Sequence, residues 1–285
     1  MTTDEVKEES RFIVGHTTRP ACKVNGLRGI YNAGATCYQN VVLQCFLHNP
    51  FVRNFYLSDG HTARDCGFSN CLSCAVDDMF QDFYGSETTH GYTAANILSC
   101  FWFSDKKAFE NLVTTREQDA HEFFQFLAEE LHERSVDALV SKESKLLTSG
   151  TGTSSDDSRP LVSAHDYSCK CIIHQTFYGR SQTTTACQSC PHVAQTSQVF
   201  LDLNLGVESL AQRRSRRDGK RSPVLTLREC LDDEYLKSDK CEWRCPACDL
   251  VQQARRFTSI RTLPNVLCIQ LKVRIPALLG LYYAT

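Results

Sequence analysis

No apolar run in this sequence reaches the ~18 residues that a bilayer-spanning helix requires. The nearest approach, "IPALLGLYYAT" at Ile275–Thr285, is too short. The opening residues, "MTTDEVKEESRF", are acidic and polar, and so fit neither a secretory signal nor a transit peptide. A basic excess is also missing: 31 Lys and Arg stand against 33 Asp and Glu, for a net charge of −2. That balance removes any global electrostatic case for binding nucleic acid or a membrane surface. These absences predict a soluble intracellular protein.

Cysteine, by contrast, is abundant, with 16 in 285 residues. Without a secretory signal such a count points to metal or catalysis rather than disulfides. Most of the cysteines fall in close groups, often near a histidine, as a tetrahedral Zn²⁺ site requires. Cys187-x-x-Cys190 and Cys245-x-x-Cys248 form a split Cys₄ pair, each knuckle able to place two thiolates on one metal. A thioredoxin-like redox site is disfavoured, because one CxxC would suffice and no βαβ pattern surrounds it. Cys241 is a spare. His61, Cys66, Cys71 and Cys74 make a second candidate set within "HTARDCGFSNCLSC". Cys169, Cys171 and His174 in "CKCIIH" make a third, with His132 the nearest plausible fourth ligand and a surface helix histidine its alternative. No HExxH accompanies any of them, so the metals are expected to hold structure rather than activate water.

Helical patterns dominate from about residue 26 to 134. In Cys37–His48, Val42 with Phe46 and Val41 with Cys45 recur at i, i+4 and predict an apolar face. "MFQDFYG" reads as a helix end stopped by Gly85. "EQDAHEFFQFLAEELHERS" is the strongest helix signal, with Phe123, Phe124, Leu127 and Leu131 as its buried stripe. Ser141–Pro160 reads as a mobile insertion ending in Ser, Thr, Gly and Asp. Beyond it the period shifts toward two, and "IIHQTFYGRSQTTTAC" and "QTSQVFLDLNL" alternate like strands. "AQRRSRRDGKRSP", about residues 211–223, reads as a basic solvated loop, with a nuclear-import or acidic-partner patch as the sharper alternative. "FTSIRTLPNVLCIQLK" closes on what the pattern predicts to be a buried strand. Helices first and strands later give an α+β class with a zinc-bearing β extension.

"YNAGATCYQNVVLQ", Tyr31–Gln44, carries the reactive candidate. Cys37 stands where a small-residue turn becomes a helix, and the free N–H groups and partial positive charge of a helix start favour a thiolate nucleophile. The alternative is a buried cysteine on an apolar helix.

"GLRGIYNAGATCYQNVVLQ" resembles the cysteine box of the ubiquitin-specific proteases, and "EQDAHEFF" resembles their glutamine–aspartate box. The CxxC pairs match the fingers of that fold, and "LPNVLCIQLK" matches the strand before the family's histidine box. "SDGHTARDCGFSNCLSC" and "CKCIIHQTFYG" look most like the branch of the nuclear deubiquitinase of SAGA-type transcriptional coactivators. The resemblance covers about residues 26–272. It implies a papain-like fold with a helical thumb (about 26–140), an insertion (141–160), and zinc-bearing β fingers leading into an incomplete β palm (161–272). Residues 1–25 are then a polar leader. It also implies up to three structural zinc ions, a nuclear location, and ubiquitin and a ubiquitylated protein such as a histone as partners, with coactivator subunits beside them.

Carried over residue by residue, the resemblance makes Cys37 the nucleophile toward ubiquitin's C-terminal carbonyl and Asn32 the side-chain donor to the oxyanion. Asp119 and Gln118 match positions that receive the basic ubiquitin tail; a first-turn acid that favours the helix dipole is the alternative for Asp119. His121 reads as structural. The family's catalytic histidine and its Asp or Asn partner have no counterpart, for no histidine follows His192. After Lys272 the sequence departs from the family at "VRIPALLGLYYAT", so residues 273–285 read as a non-native tail. Lys-Val-Arg there is compatible with a splice-donor sequence translated through an exon boundary. The expectation is a deubiquitinase domain impaired in this chain. A catalytically dead, zinc-scaffolded ubiquitin-binding or assembly module is the alternative. A zinc-ribbon nucleic-acid binder is disfavoured, its basic residues being confined to one segment without aromatic interleaving.

Overall fold

The structure, a computed structural model, describes residues 27–85, 90–104, 118–147, 169–218 and 224–272. The expected leader, the tail and most of the insertion lie outside these residues. The chain divides into two compact units: residues 1–161 with Lys170–Thr176, and the remainder.

In the first unit, α1 (Cys37–His48) buries Val42, Leu43, Phe46 and Leu47 along one face. Asn49 ends α1 and starts α2 (Pro50–Leu57): its side chain accepts from the Phe51 and Val52 amides, and Pro50 occupies the first turn. The helix α3 (Leu72–Gly85) ends at the expected glycine and buries Val76, Met79, Phe80 and Phe83. A short α4 (Ala95–Trp102) contributes Ile97 and Phe101. The expected stripe of α5 (Ala120–Leu147) is buried as read, and Phe126 joins it in a ring cluster with Phe101 and Phe123. The second unit holds an antiparallel sheet in the order β2-β1-β5-β4, with β1 Gly179–Cys187, β2 Val193–Phe200, β4 Asp239–Cys245 and β5 Leu250–Thr262. A parallel pair, β3 (Asp202–Leu205) and β6 (Cys268–Leu271), lies apart from that sheet.

Five expectations need correction. Val41 is 53% exposed and Cys45 is exposed, so the apolar face of α1 is the Val42–Phe46 set alone. The helix α5 runs on through "SKESKLL", whose Lys, Glu and Leu are good helix formers, into the expected insertion. "IIHQTF" is a helical turn, α6 (Ile172–Phe177), and the strand begins only at Gly179. The basic segment is not a loop: α7 (Val207–Asp218) covers most of it. Leu210 of α7 packs with Leu205 and with Cys230 of α8 (Leu227–Leu231), while Arg213 pairs with Asp233 and Arg214 with Glu229. Finally, β6 is half-buried rather than buried, with Leu271 at 54% exposure, because it joins a two-stranded parallel pair.

Candidate active site and metal centres

The loop before α1 is organised by one amide side chain. Asn32 Oδ1 accepts from the Gly34 amide (3.2 Å), the Thr36 amide (3.0 Å) and the Thr36 hydroxyl (3.1 Å). Thr36 Oγ1 in turn accepts from the Ala33 amide at 3.0 Å. With its oxygen committed to three donors, the Asn32 side chain has only its NH₂ to offer a substrate. The turn passes through Gly34 at φ 92° and Ala35 at φ 52°. The first is open only to glycine without strain, and the second places an alanine in the left-handed region.

Cys37 is the first residue of α1, where backbone N–H groups lack intrahelical acceptors. It is exposed, while Thr36, Tyr38 and Gln39 on either side are buried, which excludes the buried-cysteine reading. The loop is tied down at several points. Asn40 Nδ2 donates to the Tyr31 carbonyl (3.1 Å), and Gln44 Nε2 to the Arg28 carbonyl (2.9 Å). The Tyr31 amide donates to the Tyr92 carbonyl and the Tyr92 amide to the Gly29 carbonyl, each at 2.9 Å. Arg28 donates to the His90 carbonyl and to the Asp82 carboxylate, and its guanidinium lies 5.0 Å from the Phe83 ring centre. Sequence reading passed over Thr36, Arg28, Asn40 and Gln44. Their signal was only their place in the Cys37 segment.

Asp119 is exposed, and its Oδ1 accepts from the His121 amide at 2.8 Å, capping the start of α5. The helix-start role held as the alternative is therefore present in the geometry. It uses one carboxylate oxygen and leaves the other for a ligand. Gln118 is half-buried beside it. Tyr38, next to Cys37, packs edge-on against Phe123 of α5 with centroids 5.8 Å apart, which links the starts of the two helices.

All three expected metal sets are assembled: His61, Cys66, Cys71, Cys74; His132, Cys169, Cys171, His174; and Cys187, Cys190, Cys245, Cys248. Within each, the ligand atoms lie within 4.8 Å of one another. Several separations match the edges of a tetrahedron built on Zn–S and Zn–N bonds of about 2.3 and 2.0 Å. His61 Nε2 lies 3.1 Å from Cys74 Sγ and 3.7 Å from Cys71 Sγ. Cys171 Sγ lies 3.4 Å from His132 Nδ1 and 3.2 Å from His174 Nδ1. Cys190 Sγ lies 3.6 Å from Cys245 Sγ. The sites are made by ordinary elements. Cys171 and His174 are three apart across the first turn of α6, and His132 comes from α5. The two CxxC knuckles sit at the β1–β2 and β4–β5 turns, which the pairing of the central strands β1 and β5 brings to the same end of the sheet.

Crowding is visible in the thiols. Cys248 is pushed up to about 12, first by its hydrogen bond with Cys190, whereas the Ser189 amide draws Cys187 down to about 7. A divalent soft cation relieves such crowding, since it binds the deprotonated form. Soft, tetrahedral, closed donor sets of this kind fit structural zinc, and Cys241 stays outside them.

An exposed cysteine at a helix start, an oriented amide in the loop before it and zinc-type ligand sets are the elements a thiol hydrolase with metal-stapled architecture requires. The ubiquitin carboxyl-terminal hydrolase family matches residues 28–275, and the chain belongs to that family of cysteine proteases. It is 31% identical over 256 residues to the probable ubiquitin carboxyl-terminal hydrolase 8 of Schizosaccharomyces pombe, covering 89% of this chain and 46% of that protein. It is 33% identical over 276 residues to the Drosophila melanogaster ubiquitin carboxyl-terminal hydrolase nonstop, covering 93% and 52%. Among solved structures it resembles the SAGA Ubp8/Sgf11/Sus1/Sgf73 DUB module bound to ubiquitin aldehyde. That match has a TM-score of 0.64 at 26% identity and covers 94% of this chain and 51% of the other. The chain thus spans about half the length of the curated relatives it matches. These matches place it in the SAGA branch of the family. No helix among the described residues is long and apolar enough to cross a membrane.

Proposed function

We propose that this chain carries the nucleophile half of a thiol-dependent deubiquitinase acting on a chromatin substrate. The observation that carries the reading is an exposed Cys37 at the first residue of a helix, behind a loop whose Asn32 carbonyl is fully committed. Cys37 Sγ attacks the carbonyl carbon of ubiquitin's C-terminal glycine, the C=O oxygen becomes an oxyanion, and Asn32 Nδ2 donates to it. Collapse of that intermediate expels the lysine amine, which takes up a proton, and leaves a thioester that water later hydrolyses. Asp119 and Gln118 receive the extended basic tail of ubiquitin. Zinc, when bound, cross-links the three Cys/His sets; this chain's own residues do the covalent chemistry.

The 285 residues contain no histidine after His192, and the reading assigns no base to the Cys37 proton among them. Covalent capture without sustained turnover is therefore expected of this chain alone. The relative described in the SAGA DUB module with Sgf11, Sus1 and Sgf73 and bound to ubiquitin aldehyde supports ubiquitin and subunits of that kind as partners. A nuclear setting and a ubiquitylated histone as the substrate class are part of this proposal and follow from the resemblance of the sequence alone. The test is labelling by ubiquitin bearing a C-terminal alkyne electrophile. Labelling of the purified chain that disappears in Cys37→Ser supports the reading. An unlabelled, zinc-loaded chain overturns it.

A further inference from the structure

The two edges of the antiparallel sheet are unlike. The strand β4 carries Asp239, Lys240, Glu242 and Arg244, and charge of that kind guards an edge against further pairing. The other edge, β2, reads Val193-Ala-Gln-Thr-Ser-Gln-Val-Phe200, with no charge and no proline. Its residues from Val193 to Gln198, apart from Ala194, are exposed.

The outward-facing backbone of β2 can be identified. The Cys187 amide donates to the His192 carbonyl, so this pair, in register with the β1–β2 ladder, is of the hydrogen-bonded kind. Alternation then turns Ala194, Thr196, Gln198 and Phe200 toward β1, and Val193, Gln195, Ser197 and Val199 away from it. The Gln188 amide donates to the Gln253 carbonyl on the other side of β1, which requires the same phase. Among the described residues, no partner is recorded for the outward groups of these four.

We propose that β2 is an interface for a second copy of this chain, pairing antiparallel with the same strand across a two-fold axis at Thr196. A two-fold that makes neighbouring strands antiparallel runs perpendicular to the sheet, so residues directly opposite share a face and have the same parity. With Thr196 opposite its own copy, Val193 faces Val199 and Gln195 faces Ser197. All four outward residues then meet outward residues, and every free amide and carbonyl of the strand is used. Shifting the axis to Ala194, Gln195, Ser197 or Gln198 leaves some of them unmatched within the strand. The cross-strand neighbours also suit one another: β-branched valines pair at the ends, and an amide meets a hydroxyl between them. The neutral strand presents no like charge to its copy, whereas the β4 edge would. This interface makes no use of Cys37 or Asn32 and stands independently of the catalytic reading.

The experiment is sedimentation equilibrium of the zinc-loaded 285-residue chain across a concentration series, with three variants. The parent chain should show a reversible monomer–dimer equilibrium. Gln195→Pro removes an amide that faces away from β1, so the β1–β2 ladder stays intact while dimerisation weakens at least about tenfold. Gln195→Lys keeps the backbone and sets charges beside the axis, and should weaken it in the same direction. Thr196→Cys places two thiols opposite each other at a non-hydrogen-bonded pair, within disulfide reach, and should give cross-linked dimer above the parent's own cysteine background. A parent that stays monomeric throughout overturns the proposal, even if it captures an unrelated extended peptide. So does a dimer indifferent to both Gln195 variants, or one that cross-links through Ser197→Cys rather than Thr196→Cys.

Discussion

Replacing Asn32 by aspartate separates the loop-organising role that the structure shows from the donor role proposed for the same side chain. Aspartate keeps an oxygen where Oδ1 accepts from Gly34, Thr36 N and Thr36 Oγ1, so the loop retains its hub. It loses the NH₂, the only donor the side chain could turn toward an oxyanion. A positioned donor of this kind is worth about 3 kcal/mol, or on the order of a hundredfold in the barrier. Asn32→Ala removes the donor and also strands three hydrogen-bond donors, each worth about 1 kcal/mol net, so it should disorder the turn as well.

Ubiquitin aldehyde is the suitable probe for this pair, because Cys37 adds to the aldehyde to give a tetrahedral oxygen without needing a leaving group. Asn32→Asp is expected to weaken its capture about a hundredfold while leaving thermal stability near that of the parent. The new carboxylate also disfavours a nearby thiolate, so iodoacetamide alkylation, which builds no oxyanion, is measured alongside. Only the loss in excess of the alkylation loss is assigned to the donor. If Asn32→Asp captures ubiquitin aldehyde as tightly as the parent, the donor role is refuted.

Four further outcomes follow from the geometry. Phe123 is fully buried against Tyr38, Phe101 and Phe126, so Phe123→Ala should cost about 3–5 kcal/mol in chemical denaturation. An added Cβ at Gly91 would stand 2.7 Å from the Tyr31 ring, so Gly91→Ala should slow electrophile labelling of Cys37 by shifting the residue next to Asn32. Stripping metal with a strong chelator should release zinc in proportion to three sites and lower the melting temperature, and Cys245→Ser should lose one equivalent. The hydrogen bond from Arg214, with the Thr226 amide behind it, draws the Glu229 carboxyl from its ordinary 4.5 to about 2. A depressed acid stabilises above its unfolded value and loses that contribution as pH falls toward 2, so the carboxyl resonance of Glu229 should still report the ionised form at about pH 4.

The residues that advertise themselves locally are legible in the sequence. Phe123, Phe124, Leu127 and Leu131 repeat at helical spacing, and a helix follows. The metal sets were legible too, because thiolates and imidazoles in close sequence groups have few other uses. His132 was reachable only as a neighbour in sequence, and the fold brings it within 3.4 Å of Cys171. What could not be read depended on distant partners. The basic segment became α7 because Leu210 finds Leu205 and Cys230, and because Glu229 and Asp233 neutralise its arginines. "IIHQTF" alternates on paper, yet Cys171 and His174 meet only if that stretch turns helically. In the candidate site, the sequence singles out Cys37 and Asn32, which the structure places at the helix start and at the hub of the loop before it, but not Thr36 or Arg28, whose contacts are to backbone groups that no sequence pattern displays.

The third metal set has a consequence for the length of the chain around it. His132 and Cys171 belong to one donor cluster, so a metal bound there would close the chain between them into a loop in the polymer sense, whatever its own secondary structure. Once the ends are pinned, doubling such a loop costs only about 0.6 kcal/mol in closure entropy. Closure through that cluster therefore adds little penalty to a change in the length of chain between α5 and Cys169. Insertions and deletions should concentrate there, and epitope tags or reporter domains placed there should be carried with little loss of stability.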